Sequence, residues 1–107
     1  LADMTGYLYG RGGGWPHPFR NGYMATKERI ETSRYYDVVN FARKINVPAY
    51  VSYGFNDMVC CPTSTTAAYN AIPTADKERW IVPEIEHWTY PEQNTARSQW
   101  MMNQLKK

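Results

Sequence analysis

Apolar and polar residues follow one another along this chain in stretches short enough to assign element by element. Residues 1–32 show no sustained periodicity, and Gly10-Arg11-Gly12-Gly13-Gly14-Trp15-Pro16-His17-Pro18 is dense in the two residue types that punctuate loops. From Ser33, read as an N-cap, Tyr36, Val39, Asn40 and Arg43 fall on one face of a short helix that Pro48 ends. Pro48–Gly54 (PAYVSYG) is a β-rich run of strand length, apolar on both faces as a buried parallel strand is. Pro62 suits the first position of a helix reaching about Ile72, with Ala67, Ala68, Ala71 and Ile72 as its apolar stripe. Glu78–Val82 (ERWIV) reads as a second strand. Thr89 with Glu92 three residues on predicts a capping box that opens a last helix, with Ala96, Trp100, Met101 and Leu105 facing inward.

The predicted order is strand, acidic loop, helix, strand, histidine loop, helix. A right-handed crossover makes the two strands parallel, so Asp57 and His87 stand on loops at the same edge of the sheet. Two parallel strands do not bury both faces and both edges unaided, and further sheet is expected beside them. Two readings of Asp57 arise. Asn56-Asp57 is a common turn pair, whose short side chains hydrogen-bond nearby backbone. Alternatively, Asp57 lies where open α/β sheets place their chemistry, at the carboxyl end of a strand.

Composition narrows the class. The chain has 107 residues, with 12 basic and 10 acidic side chains and a net charge of +2, scattered without a block of either sign. That excludes an electrostatic nucleic-acid footprint. No apolar run approaches the roughly 18 residues of a membrane span. Cys60 and Cys61 are adjacent and lack a second Cys or His pair at ligand spacing, so no metal is expected and both are read as reduced, mostly buried thiols. The alternate glycines at 10, 12 and 14 lack the Lys-Ser/Thr of a phosphate loop, and no other cofactor motif is present. Nine Tyr, four Trp and three Phe make the chain rich in aromatics, which serve as buried anchors or as a sugar-facing surface.

An acid followed thirty residues later by a histidine, each after a strand, is the back half of a Ser…Asp…His order. Imidazole supplies a base near neutral pH, and a buried carboxylate fixes its tautomer and stabilises its protonated form. Glu84 and Glu86 are rival acids ranked below Asp57.

At this point the residues resemble a known family. YYDVVNFARKINVP at 35–48, followed by YVSYGFNDMVCCPTSTTAAYNAI at 50–72, is similar to the acetyl xylan esterase/cephalosporin-C deacetylase family, carbohydrate esterase family seven. That family carries a Tyr/Phe-Asp-x-Val-Asn-Phe-Ala helix, then Gly-x-x-Asp-x-x-Cys-Pro-Pro, then Ala-Ala-Tyr-Asn. The resemblance implies an α/β fold in which residues 1–107 form the carboxy-terminal βαβα part of an α/β-hydrolase sheet. Residues 1–32 would be a loop or cap-like segment, and 33–107 the part bearing the acid and the base. It implies Asp57 as triad acid and His87 as triad base. Three departures stand out: Cys61 replaces the first proline of Pro-Pro, Trp88-Thr89-Tyr90 follow the histidine in place of Glu-Gly, and no Gly-x-Ser-x-Gly occurs.

The implied activity is a serine esterase removing acetyl groups from xylan-type sugars, without metal or cofactor. Its nucleophile would lie in an upstream part of the same enzyme, and residues 1–107 alone are expected to be inactive. Trp88 and Trp15 are candidates to wall a sugar site. The expected partners are an acetylated sugar and that upstream part, with homo-oligomeric assembly implied by the resemblance and no nucleic acid or membrane. The resemblance favours a secreted or periplasmic enzyme over a cytoplasmic one. The alternatives are a related hydrolase of different substrate, including one using Cys60 or Cys61 as nucleophile, and a non-catalytic carbohydrate-binding piece.

Overall fold

The computed structural model describes residues 2–107. Two 3-10 turns, Gly6–Tyr9 and Gly22–Met24, precede helices α1 (Lys27–Tyr36) and α2 (Val38–Ala42). Strand β1 (Ala49–Gly54), helix α3 (Pro62–Ala71), strand β2 (Lys77–Val82) and helix α4 (Pro91–Leu105) follow. The strands pair in parallel with no offset, from Ala49 opposite Lys77 to Gly54 opposite Val82. The fold is α/β, and its carboxy-terminal half has the anticipated strand and helix order.

The first half differs from the sequence reading. Lys27–Tyr36 is helical although its apolar residues make no clear stripe, because Thr26 caps it by accepting from Arg29 N and the strong helix formers Lys, Glu and Arg fill its first turns. Ser33 is therefore no N-cap: it lies buried inside α1, and its hydroxyl donates to Ile30 O. The break falls at Asp37. Its Oδ1 accepts from Val39 N at 2.9 Å, capping α2, and the same carboxylate accepts from Asp3 N at 2.9 Å and Met4 N at 2.8 Å. Asp3 in turn holds Arg11 through two bonds of 2.9 and 2.8 Å, so one buried carboxylate ties the start of the described chain to the α1–α2 corner.

α3 begins as expected, with Pro62 at the first turn behind Cys61. Lys77 closes its other end, donating to Tyr69 O and Ile72 O where the helix dipole favours a cation. α4 starts one residue later than the Thr89/Glu92 pattern predicts. Gln93 Oε1 accepts from Tyr90 N at 2.9 Å, while Gln93 Nε2 donates to Ser52 Oγ on β1 at 2.7 Å. The Trp100 ring then packs, tilted, against Tyr50 with centroids 5.6 Å apart and donates to Glu78 Oε1. Met101 and Leu105 do not face inward; both are exposed.

The buried apolar set is small: Phe19, Ala42, Tyr53, Cys61, Ile72, Val82 and Ile85. The radius of gyration is 15.2 Å, whereas a compact domain of this length has about 13 Å. Each strand keeps one unpaired edge among the described residues, and β1 is only half-buried over most of its length. Tyr35, Tyr36, Phe41 and Val47 lie exposed beside it in sequence.

Candidate active site at the strand ends

Parallel pairing without offset brings the ends of β1 and β2 level, and the loops that leave them are stitched together. Phe55 N donates to Val82 O at 2.9 Å, Asn56 N to Ile85 O at 3.1 Å, and Asn56 Nδ2 to Pro83 O at 3.0 Å. Gly54 permits this approach. A Cβ at that position would collide with Ile85 O, the Ile85 side chain and Glu86 O, so the histidine loop crosses where only a hydrogen stands.

On that platform Asp57 splits its two oxygens. Oδ1 accepts from Val59 N at 2.9 Å and Cys60 N at 2.7 Å, which is the turn chemistry of an Asn-Asp pair. Oδ2 lies 2.8 Å from His87 Nδ1. The turn bonds and a position just past the carboxyl end of β1 thus coexist in one carboxylate. The carboxylate is buried, 6% exposed. Burial alone would raise its pKa, but the bonds from His87, Cys60 and Val59, with the charge of a protonated His87, hold it below the usual carboxylate value. An ionised carboxylate only accepts, so Nδ1 carries the proton and Nε2 of the neutral ring keeps its lone pair. The His87 side chain is half-exposed. A ring so held can take a proton from a hydroxyl and return it.

Asp57, His87, Cys60, Thr65 and Trp88 line a cavity of about 270 Å³. Trp88 is 75% exposed, which rules out a core role within these residues. Trp15 is exposed in the glycine-rich segment and does not line this cavity. Glu84 and Glu86 are exposed and make no bond to His87. A larger groove of about 720 Å³ between α1 and α2 contains neither member of the acid–histidine pair.

The thiols fit the reduced, mostly buried reading: Cys61 is buried and Cys60 partly so. Burial and then the neighbouring Asp57 charge push the Cys60 thiol up, which opposes its use as a nucleophile despite the helix start beside it. No serine hydroxyl among the described residues bonds to His87: Ser52 accepts from Gln93, Ser33 bonds within α1, and Ser64 is buried in α3.

Three residues were not given their place at the site by the sequence reading. Gly54 had a signal, since a lone glycine closing a strand marks close backbone approach. Gln93 had only its place three residues after Tyr90. The Cys60 side chain, read as packing or as a rival nucleophile and not as a neighbour of both Asp57 and His87, stands at the acid–histidine pair.

The sequence matches the family model described as acetyl xylan esterase (AXE1) over residues 18–104. It is 49% identical over 106 residues to acetyl esterase Axe7A of Xylanibacter ruminicola, covering 99% of this chain and 24% of that protein. The chain thus spans about a quarter of the length of that curated relative. Among solved structures, an acetyl xylan esterase from Paenibacillus sp. R4 superposes with a TM-score of 0.78 at 20% identity, over 96% of this chain and 34% of its own. Acetyl xylan esterase 1 from Thermoanaerobacterium sp. JW/SL YS485 superposes with a TM-score of 0.67 at 25% identity, over 94% of this chain and 29% of its own. The architecture is that of the α/β-hydrolase acetyl xylan esterases.

Proposed function

From the premise that this chain belongs to the acetyl xylan esterase family, we propose that it supplies the acid and the base of a serine esterase acting on acetylated, xylan-type sugars. Asp57 is the acid and His87 the base, and the nucleophilic serine belongs to a part of the enzyme outside residues 1–107. The observation that carries the reading is the 2.8 Å bond between buried Asp57 Oδ2 and His87 Nδ1 at the level ends of two parallel strands.

His87 Nε2 takes the serine proton as the serine oxygen bonds to the acetyl carbonyl carbon. The imidazolium so formed is stabilised by Asp57, whose own proton affinity is held low. His87 then protonates the departing sugar oxygen as the ester bond breaks, leaving an acetyl-serine. Water attacks that acyl group, giving its proton to His87, and acetate leaves with the serine reprotonated. The donors that stabilise the tetrahedral oxyanion belong, with the serine, to the remainder of the enzyme. Trp88, exposed at the cavity mouth beside the base, offers a flat apolar wall to the acyl group or the sugar ring.

A fluorophosphonate, which reacts with activated serines, tests this assignment in the complete enzyme. The label is expected on a serine outside residues 1–107, and His87→Ala is expected to suppress it. Label on Cys60 or on a serine within this chain would refute the proposed division of the triad.

A further inference from the structure

Among the described residues, Asp57, Cys60 and His87 form the one group of three side chains from the metal-binding types whose ligand atoms converge. A carboxylate oxygen, Cys60 Sγ and an imidazole nitrogen all lie within 4.8 Å of one another. We propose that these three side chains form a binding site for a thiophilic divalent cation such as Zn²⁺, and that occupancy holds the catalytic base out of use. The spacing of Cys60 and Cys61 in sequence gives no hint of such a site; the parallel register creates it by setting the histidine loop against the acid loop.

The donor chemistry selects the ion. Thiolate and imidazole favour Zn²⁺ or Co²⁺ over Mg²⁺ or Ca²⁺, which take oxygen ligands. A tetrahedral zinc at about 2.0 Å from N and O and about 2.3 Å from S needs its ligands roughly 3.3–3.5 Å apart. Asp57 Oδ2 and His87 Nδ1 are already inside that separation at 2.8 Å, so the adjustment falls on the Cys60 thiol and on a half-exposed ring. Val59 N and Cys60 N fix Asp57 Oδ1 from behind, the outer-shell support that metal carboxylates generally have. All three side chains line one cavity of about 270 Å³, so water would complete the tetrahedral shell.

Binding exchanges a proton for the metal. The Cys60 S–H bond breaks and its proton passes to solvent; Nδ1 of His87 also gives up its proton to solvent while Nε2 takes one up, and zinc–sulfur and zinc–nitrogen bonds form with no change of oxidation state. A cation on the ring also replaces the Asp57–His87 hydrogen bond, so the imidazole is no longer free to shuttle a proton. The metal site shares Asp57 and His87 with the proposed esterase chemistry and adds Cys60 to them.

The test uses the complete metal-free enzyme, titrated with Co²⁺ and then Zn²⁺. One equivalent of Co²⁺ is expected to raise a thiolate-to-cobalt charge-transfer band in the near ultraviolet, and Zn²⁺ to bleach it. Cys60→Ser and His87→Ala are each expected to abolish the band and to weaken Zn²⁺ binding, read by chelator competition, by about tenfold or more. Absence of the band in the wild type, or its persistence in either variant, overturns the site. Should a variant fold poorly, alkylation of wild-type Cys60 by iodoacetamide, followed by mass spectrometry, decides: Zn²⁺ is expected to slow it by about tenfold, and an unchanged rate overturns the proposal. No ester enters these readouts, so their failure leaves the acid–base reading intact, and failure of ester turnover tests leaves the metal site intact.

Discussion

Asp57 Oδ2 and His87 Nδ1 meet at 2.8 Å across two loops that are thirty positions apart in sequence and level in the sheet. The other oxygen of the same carboxylate is spent on Val59 N and Cys60 N. The acid is thus fixed by its own turn before it fixes the histidine. Rotation of the carboxylate would break both arrangements together.

This shared anchoring has a pH signature. The Asp57 pKa is depressed in the folded protein, because the donors from His87, Cys60 and Val59 outweigh burial. A depressed carboxylate stabilises the fold above its ordinary value of about 3.9, and that contribution is lost as pH falls through the folded value. The stability gap between wild type and Asp57→Asn should therefore be widest at neutral pH and should narrow below about pH 4. Denaturant titrations at a series of pH values measure it. A gap that stays constant into acid would show that the donors do not favour the ionised form.

Gly54 sets how closely the two loops approach. Gly54→Ala places a methyl group against Ile85 O and Glu86 O, which are backbone and cannot swing aside. The expected cost is about 1–3 kcal/mol in stability, with a fall in turnover because His87 is displaced from Asp57. Chemical denaturation and acetate release, measured together on the complete enzyme, check both arms. Unchanged values for both would mean that the loops do not pack as described.

Strand order, the helix after Cys61 and the positions of Asp57 and His87 were legible because each has a local cause. Pro48 and Pro62 punctuate, ERWIV has β-formers, and Asn56-Asp57 makes a turn. α1 was not legible, since Lys27–Tyr36 turns mostly polar faces outward and is held by a Thr26 cap and by Asp37 beyond it. Inward-facing Met101 and Leu105 were misjudged for a related reason. Helical periodicity predicts a face to be buried, and α4 meets the sheet mainly through Gln93 and Trp100 near its first turns and middle. The joining of Cys60 to the acid–histidine pair depends on register between distant strands, which periodicity does not encode.

Trp88 separates pocket from core. At 75% exposure its removal should cost little stability, within about 0.5 kcal/mol as for ordinary surface positions. Trp88→Ala in the complete enzyme should instead change the kcat/KM ratio between acetyl and longer acyl esters. A large loss of stability with the ratio unchanged would make it a packing residue covered by the rest of the enzyme.

The central claim is that Asp57 acts through His87 on a serine elsewhere in the enzyme. Acetate release from an activated acetyl ester by the complete enzyme, wild type against Asp57→Asn, tests it most directly. Asparagine keeps the shape of the side chain but accepts with one oxygen only, so the histidine loses its tautomer and its countercharge. Turnover should fall roughly 10²–10⁴-fold with the fold retained by circular dichroism, and His87→Ala should be at least as damaging. Turnover within a few fold of wild type in either variant would contradict the account.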